Sequence, residues 1–191
     1  MDAYTFKKNL LAELYKPYTN LANCPVNTTG CTQLVFGEGT PNAKIMFIGE
    51  APGKDEDELG RPFVGRSGKL LTSCLEALGI PRADVFITNV VKCRPPDNRK
   101  PLPSEVAFYK PILLHEIKII RPRVICTLGA SALEALTAQP FSMTKIRGRS
   151  LLFDTITLIP TLHPAYVLRN PAAEKDFKHD LAKVVHTAYD T

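Results

Sequence analysis

Three segments of this chain carry residue types suited to gripping a flat polar ligand. The stretch GEAPGKDEDELGRPFVGRSGKLL, starting at Gly49, is the densest in glycine and acid; it holds Glu50 and Glu56 and sets Phe63 between Pro62 and Val64. An aromatic ring offers a stacking face, and the free N–H groups of a helix start, here around Gly65, Ser67 and Gly68, can hold a phosphate. Asn89 closes the apolar run DVFITN, and a side-chain amide both donates and accepts, which matches the amide edge of a nucleobase. His163 stands in TLHPAYVLRN just past another apolar run, with Arg169 and Asn170 behind it. Arg94 and the tip Arg147-Gly148-Arg149 add cations of the kind that touch phosphates. Each residue also has a plainer reading: a carboxylate capping loop amides, a core anchor, a satisfier of loop backbone, a solvated charge. The four acids Asp55 to Glu58 oppose a phosphate in their own stretch by repulsion. The glycine spacing fits neither a P-loop nor a dinucleotide fingerprint.

The elements that must position these residues follow from periodicity. Four apolar runs read as strands: KIMFIGEAPG (44–53), DVFITNVV (84–91), RVICTLG (123–129) and TITLIPTLHP (155–164). Helical spacing predicts helices over 1–16, 65–78, 104–120 with Ser104 as N-cap, 130–138 and 174–189, while 21–32 reads as loop. Alternating strands and helices predict a three-layer α/β/α domain with a central, mainly parallel four-stranded sheet. One domain over 1–191 is expected, with an N-terminal helix (1–16) and a loop region (17–43). In such open sheets the ligand crevice lies beyond the carboxyl ends of the strands. That is where Glu50 to Gly53, Asn89 to Arg94 and His163 to Asn170 fall.

Composition is consistent with this. The 191 residues, 45% hydrophobic and 23% charged, suffice for one core and exclude a disordered or coiled-coil architecture. Lys and Arg outnumber Asp and Glu by 24 to 19, a net +5 that suits an acidic partner such as nucleic acid. No stretch reaches the ~18 apolar residues of a membrane span, and the first residues read as an amphipathic helix rather than a leader, so a cytoplasmic, intracellular monomer is expected. Five irregularly spaced cysteines do not resemble a secreted disulfide framework and fit a reducing compartment.

Taken together, GEAPG…GRPFVGRSGKLL, ITNVVKCRPPDNRKP and HPAYVLRN resemble the signature segments of uracil-DNA glycosylases of the family 4 type, in order and with compatible spacing from about Cys24 to the last helix. The resemblance implies a DNA-repair enzyme that flips uracil out of DNA and hydrolyses its N-glycosidic bond, leaving an abasic site. It implies that Phe63 stacks on uracil, that Asn89 pairs with its polar edge and rejects cytosine, and that His163 contacts O2, where charge develops as the bond breaks. Ala51, at the base site, stands where other families carry a water-activating Asp. Glu56 and Glu50 are the nearest acids to orient the water, and Glu56 also matches a position that closes the pocket against the methyl of thymine. Val167, Leu168 and Arg169 match the segment that enters the duplex beside the extruded base; Ser67, Arg94 and Arg147 are assigned to the DNA backbone. The expected partner is uracil-containing DNA. Two other readings stay open. One is a uracil-DNA binder that traps the abasic sugar without turnover, although KCRPPDNRKPLP lacks the His-containing insertion of such relatives. The other is a base- or nucleotide-binding α/β module, against which the Val167-Leu168-Arg169 loop and the basic charge count.

Members of that family usually hold a [4Fe–4S] cluster on four Cys thiolates. Cys24 and Cys93 match the first and third ligand positions, but Asn27 and Tyr109 stand at the second and fourth. Neither replaces a soft thiolate. No cluster and no other cofactor is therefore expected, with Tyr109 filling the vacated space, and Cys31 could serve only if its loop were rerouted. Cys74 and Cys126, on apolar faces, read as buried thiols.

Overall fold

The structure is a computed structural model that describes residues 2–21 and 31–190. In chain order its elements are α1 (Ala3–Tyr15), β1 (Glu38–Gly39), β2 (Ile45–Gly49), α2 (Lys54–Leu59), α3 (Arg66–Ala77), β3 (Phe86–Asn89), α4 (Pro103–Ile120), β4 (Val124–Leu128), α5 (Ala130–Thr137), α6 (Met143–Ile146), β5 (Leu151–Phe153), β6 (Ile156–Thr161), α7 (Pro164–Arg169) and α8 (Glu174–Tyr189). The strands form one sheet in the order β1-β3-β2-β4-β6-β5. Its four central strands are parallel, and the short edge strands β1 and β5 run antiparallel.

The central strands are mainly apolar, with buried Thr88, Asn89, Thr127 and Thr161 among them, because each face of the sheet is covered. In β2 the side chains alternate: Met46 and Ile48 enter one core with α1, α4 and α5, while Ile45 and Phe47 enter the other with α3 and α8. Tyr109, Ile112 and Leu113 of α4 close the first core. Leu71 and Leu75 of α3 with Phe177 and Leu181 of α8 close the second. Full burial of such a side chain contributes about 1.5–3 kcal/mol, so the two cores hold the strand ends in fixed register below the crevice.

The structure departs from the sequence expectations at short elements. Six strands replace four, because β1 and β5 are two and three residues long, too short for periodicity to register. The acidic stretch, to which periodicity assigns no element, is the helix α2. Asp55, Glu56 and Asp57 sit in its first turn, where the helix dipole favours acids, and Gly60 ends it in the left-handed conformation at φ 67°. Ser104 lies inside α4, whose N-cap is Leu102 followed by Pro103 at the first helical position. Within the described part of the 17–43 region, Val35 is fully buried and its N–H donates to the Lys92 carbonyl at 2.7 Å.

Candidate active site at the carboxyl ends of the strands

The parallel strands all end on one side, and the residues that follow them line a single cavity of about 500 Å³. Glu50 follows β2, Asn89 ends β3, Gly129 follows β4 and His163 follows β6. Gly49 and Asn89 lie side by side in the β2–β3 register. A Cβ on Gly49 would overlap both the Asn89 Oδ1 and the Phe63 ring, so the absence of a side chain there lets both groups converge.

Asn89 is 1% exposed, and its Oδ1 has no hydrogen-bond partner among the described residues. Leaving a buried acceptor unpaired costs about 1–3 kcal/mol, a cost that a ligand donor removes. Phe63 is 6% exposed and has φ 52°, a left-handed conformation that an aromatic residue rarely adopts. Such backbone strain is of order 1–3 kcal/mol and persists only where surrounding contacts enforce it. The Phe63 ring lies 5.9 Å from the His163 ring, inclined by 35°.

His163 is the N-cap of α7, and its Nδ1 accepts from the Ala165 N–H at 3.1 Å. That bond commits Nδ1 as an acceptor, so the neutral ring carries its proton on Nε2. Burial, and then the nearby charge of Arg169, push its pKa down to about 4, against a smaller opposing effect of Glu56. At neutral pH His163 is an uncharged donor.

The two carboxylates differ in role. Glu56 accepts from the N–H groups of Gly53 at 3.1 Å and of Val64 and Gly65 at 2.8 Å each. It therefore ties the loop before α2 to the loop carrying Phe63. Glu50 also lines the cavity, and its carboxylate makes no hydrogen bond or ion pair among the described residues. Ala51 sits on the wall beside it with no polar side-chain atom to offer.

Of the residues assigned to DNA, Ser67 and Arg169 line the cavity. Both also line an adjoining cleft of about 330 Å³ with Leu168. Leu168 is 38% exposed, whereas Val167 is 2% exposed and packs into the core of α3 and α8. Val167 is thus a correction: on the helix α7 it faces inward and its neighbour outward. Arg147 is a second departure, since its half-buried guanidinium forks onto Asp180 at 2.8 and 2.9 Å and donates to the Asp176 carbonyl, which occupies it within the protein. Arg94 donates to Asn98 Oδ1 at 2.8 Å and does not line the cavity. Sequence reasoning missed Asn98, Arg99 and Ser131, which do. Arg99 is held by a two-bond fork to Glu105 at 2.6 and 2.9 Å. The density of Arg, Asn and Pro in KCRPPDNRKPLP was the available signal.

Cysteine usage also differs from expectation. Cys31 and Cys93 form a disulfide with Cα atoms 5.7 Å apart, 62 residues apart in sequence, a pairing that spacing alone does not reveal. Cys24 and Asn27 lie outside the described residues. Tyr109 is fully buried with its ring edge-on to Phe108 at 5.0 Å, and Cys74 and Cys126 are buried free thiols. With Cys93 bound to Cys31 and a buried phenol at the fourth position, the described residues do not fit a four-thiolate iron–sulfur cluster.

The chain is similar to known proteins over most of its length. The profile of the uracil DNA glycosylase superfamily matches residues 36–185. A type-4 uracil-DNA glycosylase of Thermotoga maritima is 49% identical over 153 residues, 79% of each chain. One from Sulfurisphaera tokodaii is 47% identical over 80% of this chain and 74% of its own. A third, from Pyrobaculum aerophilum, is 42% identical over 90% of this chain and 91% of its own. With three parallel signature loops meeting in one cavity and these identities across most of the sequence, the chain belongs to the uracil-DNA glycosylase superfamily, on its type-4 branch.

Proposed function

We propose that the chain flips uracil out of DNA into the 500 Å³ cavity, hydrolyses the N-glycosidic bond and leaves an abasic site. The observation that carries this reading is the buried Oδ1 of Asn89, unpartnered among the described residues, in the cavity that Phe63 and His163 also line. Uracil stacks on Phe63 and donates its N3–H to Asn89 Oδ1, while the Asn89 amide donates to O4. Cytosine presents an acceptor at N3 and a donor at C4, which leaves like groups facing each other.

His163 Nε2–H is then the donor for O2. As the bond between C1′ and N1 breaks, its electron pair passes to the base, and the resulting anion is shared between N1 and O2. A donor aimed there strengthens only as charge develops, and one such donor is typically worth ~3 kcal/mol. Because His163 is neutral beforehand, it gives up no proton to do this. Water adds to the oxocarbenium-like C1′, and Glu50, the carboxylate without a partner among the described residues, orients it and accepts the released proton. Glu56, occupied by three backbone N–H groups, holds the pocket shape and closes it on the C5 side. Leu168 fills the vacated stack, and Arg169 and Ser67 hold the backbone. We further propose that the chain works without an iron–sulfur cluster, the Cys31–Cys93 bond and buried Tyr109 occupying that corner of the fold.

The test is a uracil-containing oligonucleotide incubated with the protein and then cleaved by alkali. Free uracil released over many turnovers supports the reading. A stable protein–DNA adduct supports covalent trapping, and neither product supports a binding module.

A further inference from the structure

Phe63 holds a conformation that its own chemistry disfavours, at φ 52°, and its carbonyl is bonded by a residue outside the cavity. Arg82 stands in the 3-10 turn Arg82–Asp84 after α3. Its Nη1 donates to the Phe63 carbonyl at 3.1 Å and to Thr72 Oγ1 at 3.2 Å, and its Nη2 donates to the Pro62 carbonyl. Two successive carbonyls are therefore gripped by one planar fork. In extended backbone, successive carbonyls point in opposite directions; in a helical-type turn, right- or left-handed, they point the same way. A rigid guanidinium that binds both selects the turn over the extended chain. The charge is balanced by Glu38 on β1, 3.9 Å from Nε, and Glu38 is itself forked by Arg61 at 2.7 Å on both oxygens.

The opposite side of the same peptide is equally constrained. A Cβ on Gly68 of α3 would collide with the Phe63 carbonyl, so the helix backbone presses against the residue that Arg82 pulls. Gly49 lies directly beneath the ring. The ring consequently has one place to go, the cavity wall.

We propose that Arg82 is a positioning residue for base recognition, fixing the left-handed turn at Phe63 and so setting the stacking face against which the base is held. The proposal rests on the reading that Phe63 stacks on uracil. Arg82 itself does not line the cavity, so its influence on the reaction passes through Phe63.

The experiment is a double-mutant cycle in single-turnover uracil excision, using wild type, Arg82→Met, Phe63→Ala and the double variant, with melting curves for each. A displaced positioning group costs up to about 100-fold in rate. Arg82→Met is expected to slow excision by about 10- to 100-fold and to change the rate less than about twofold when Phe63 is already Ala, the non-additivity expected of one shared contact. Arg82→Lys, which restores a single carbonyl bond, should fall between wild type and Arg82→Met; if Arg82→Met does not fold, the same cycle is run with Arg82→Lys. Equal losses from the Arg82 variant in both backgrounds, or no loss at all while Phe63→Ala is slow, overturn the positioning role and leave the pocket intact. A Phe63→Ala variant that excises at the wild-type rate overturns the pocket reading, and the proposal with it.

Discussion

His163 shows how a single environment sets both a donor and a pH range. Its Nδ1 is committed to Ala165, and its pKa is lowered to about 4 by burial and by Arg169. The folded pKa thus lies below the unfolded value of about 6.5. As pH falls from about 6.5 towards 4, the unfolded chain takes up a proton that the folded chain refuses, so this group's contribution to stability declines in that window. Activity should follow the same group: kcat/KM is expected to show no His163 limb near pH 6.5, and a wild-type limb there that His163→Gln removes would contradict the buried, neutral assignment. Asn89 and His163 were legible in the sequence as candidates because each stands at or just beyond an apolar run that ends abruptly, and Phe63 because it is the one aromatic in a Gly- and acid-rich stretch. Their states were not: the left-handed turn at Phe63, the unpaired Oδ1 and the tautomer all depend on contacts from distant elements.

Short elements were where sequence periodicity lost its grip. The six-residue α2 has no apolar stripe, so periodicity assigns it no element, yet Glu56 uses that helix to gather three N–H groups from two loops. Substitution Glu56→Gln keeps an acceptor for Val64 and Gly65 but turns an amide donor towards the Gly53 N–H. Denaturant unfolding should show a loss of about 1–3 kcal/mol, the cost of an unsatisfied buried donor; an unchanged midpoint would mean that the loops are held some other way. The same limit explains Val167. The sequence treats Val167, Leu168 and Arg169 as one segment entering the duplex, but the helix α7 separates an inward Val167 from an outward Leu168. The long strands and helices, with apolar residues on both sheet faces or on one helical stripe, were placed within a few residues.

Across the molecule, one sheet places four strand ends in a single crevice, and two cores hold it there. The corner next to Asn89 is closed by Cys31–Cys93, by Tyr109 and by a fully buried Lys92 whose Nζ donates to the Asn89 carbonyl and pairs with Glu116, each at 2.7 Å. If that packing stands in for a cluster, purified protein is colourless, with neither visible cluster absorbance nor stoichiometric iron; a brown protein with about four irons per chain would overturn it. The central claim concerns the base, and the most direct measurement is release of free base from matched uracil- and cytosine-containing oligonucleotides by wild type and Asn89→Ala. Wild type should release uracil with turnover and no cytosine, and Asn89→Ala should release uracil about 100-fold or more slowly, as for loss of one aligned transition-state contact, while melting as a folded protein. Uracil release at the wild-type rate by folded Asn89→Ala, or no release by wild type, would contradict the account.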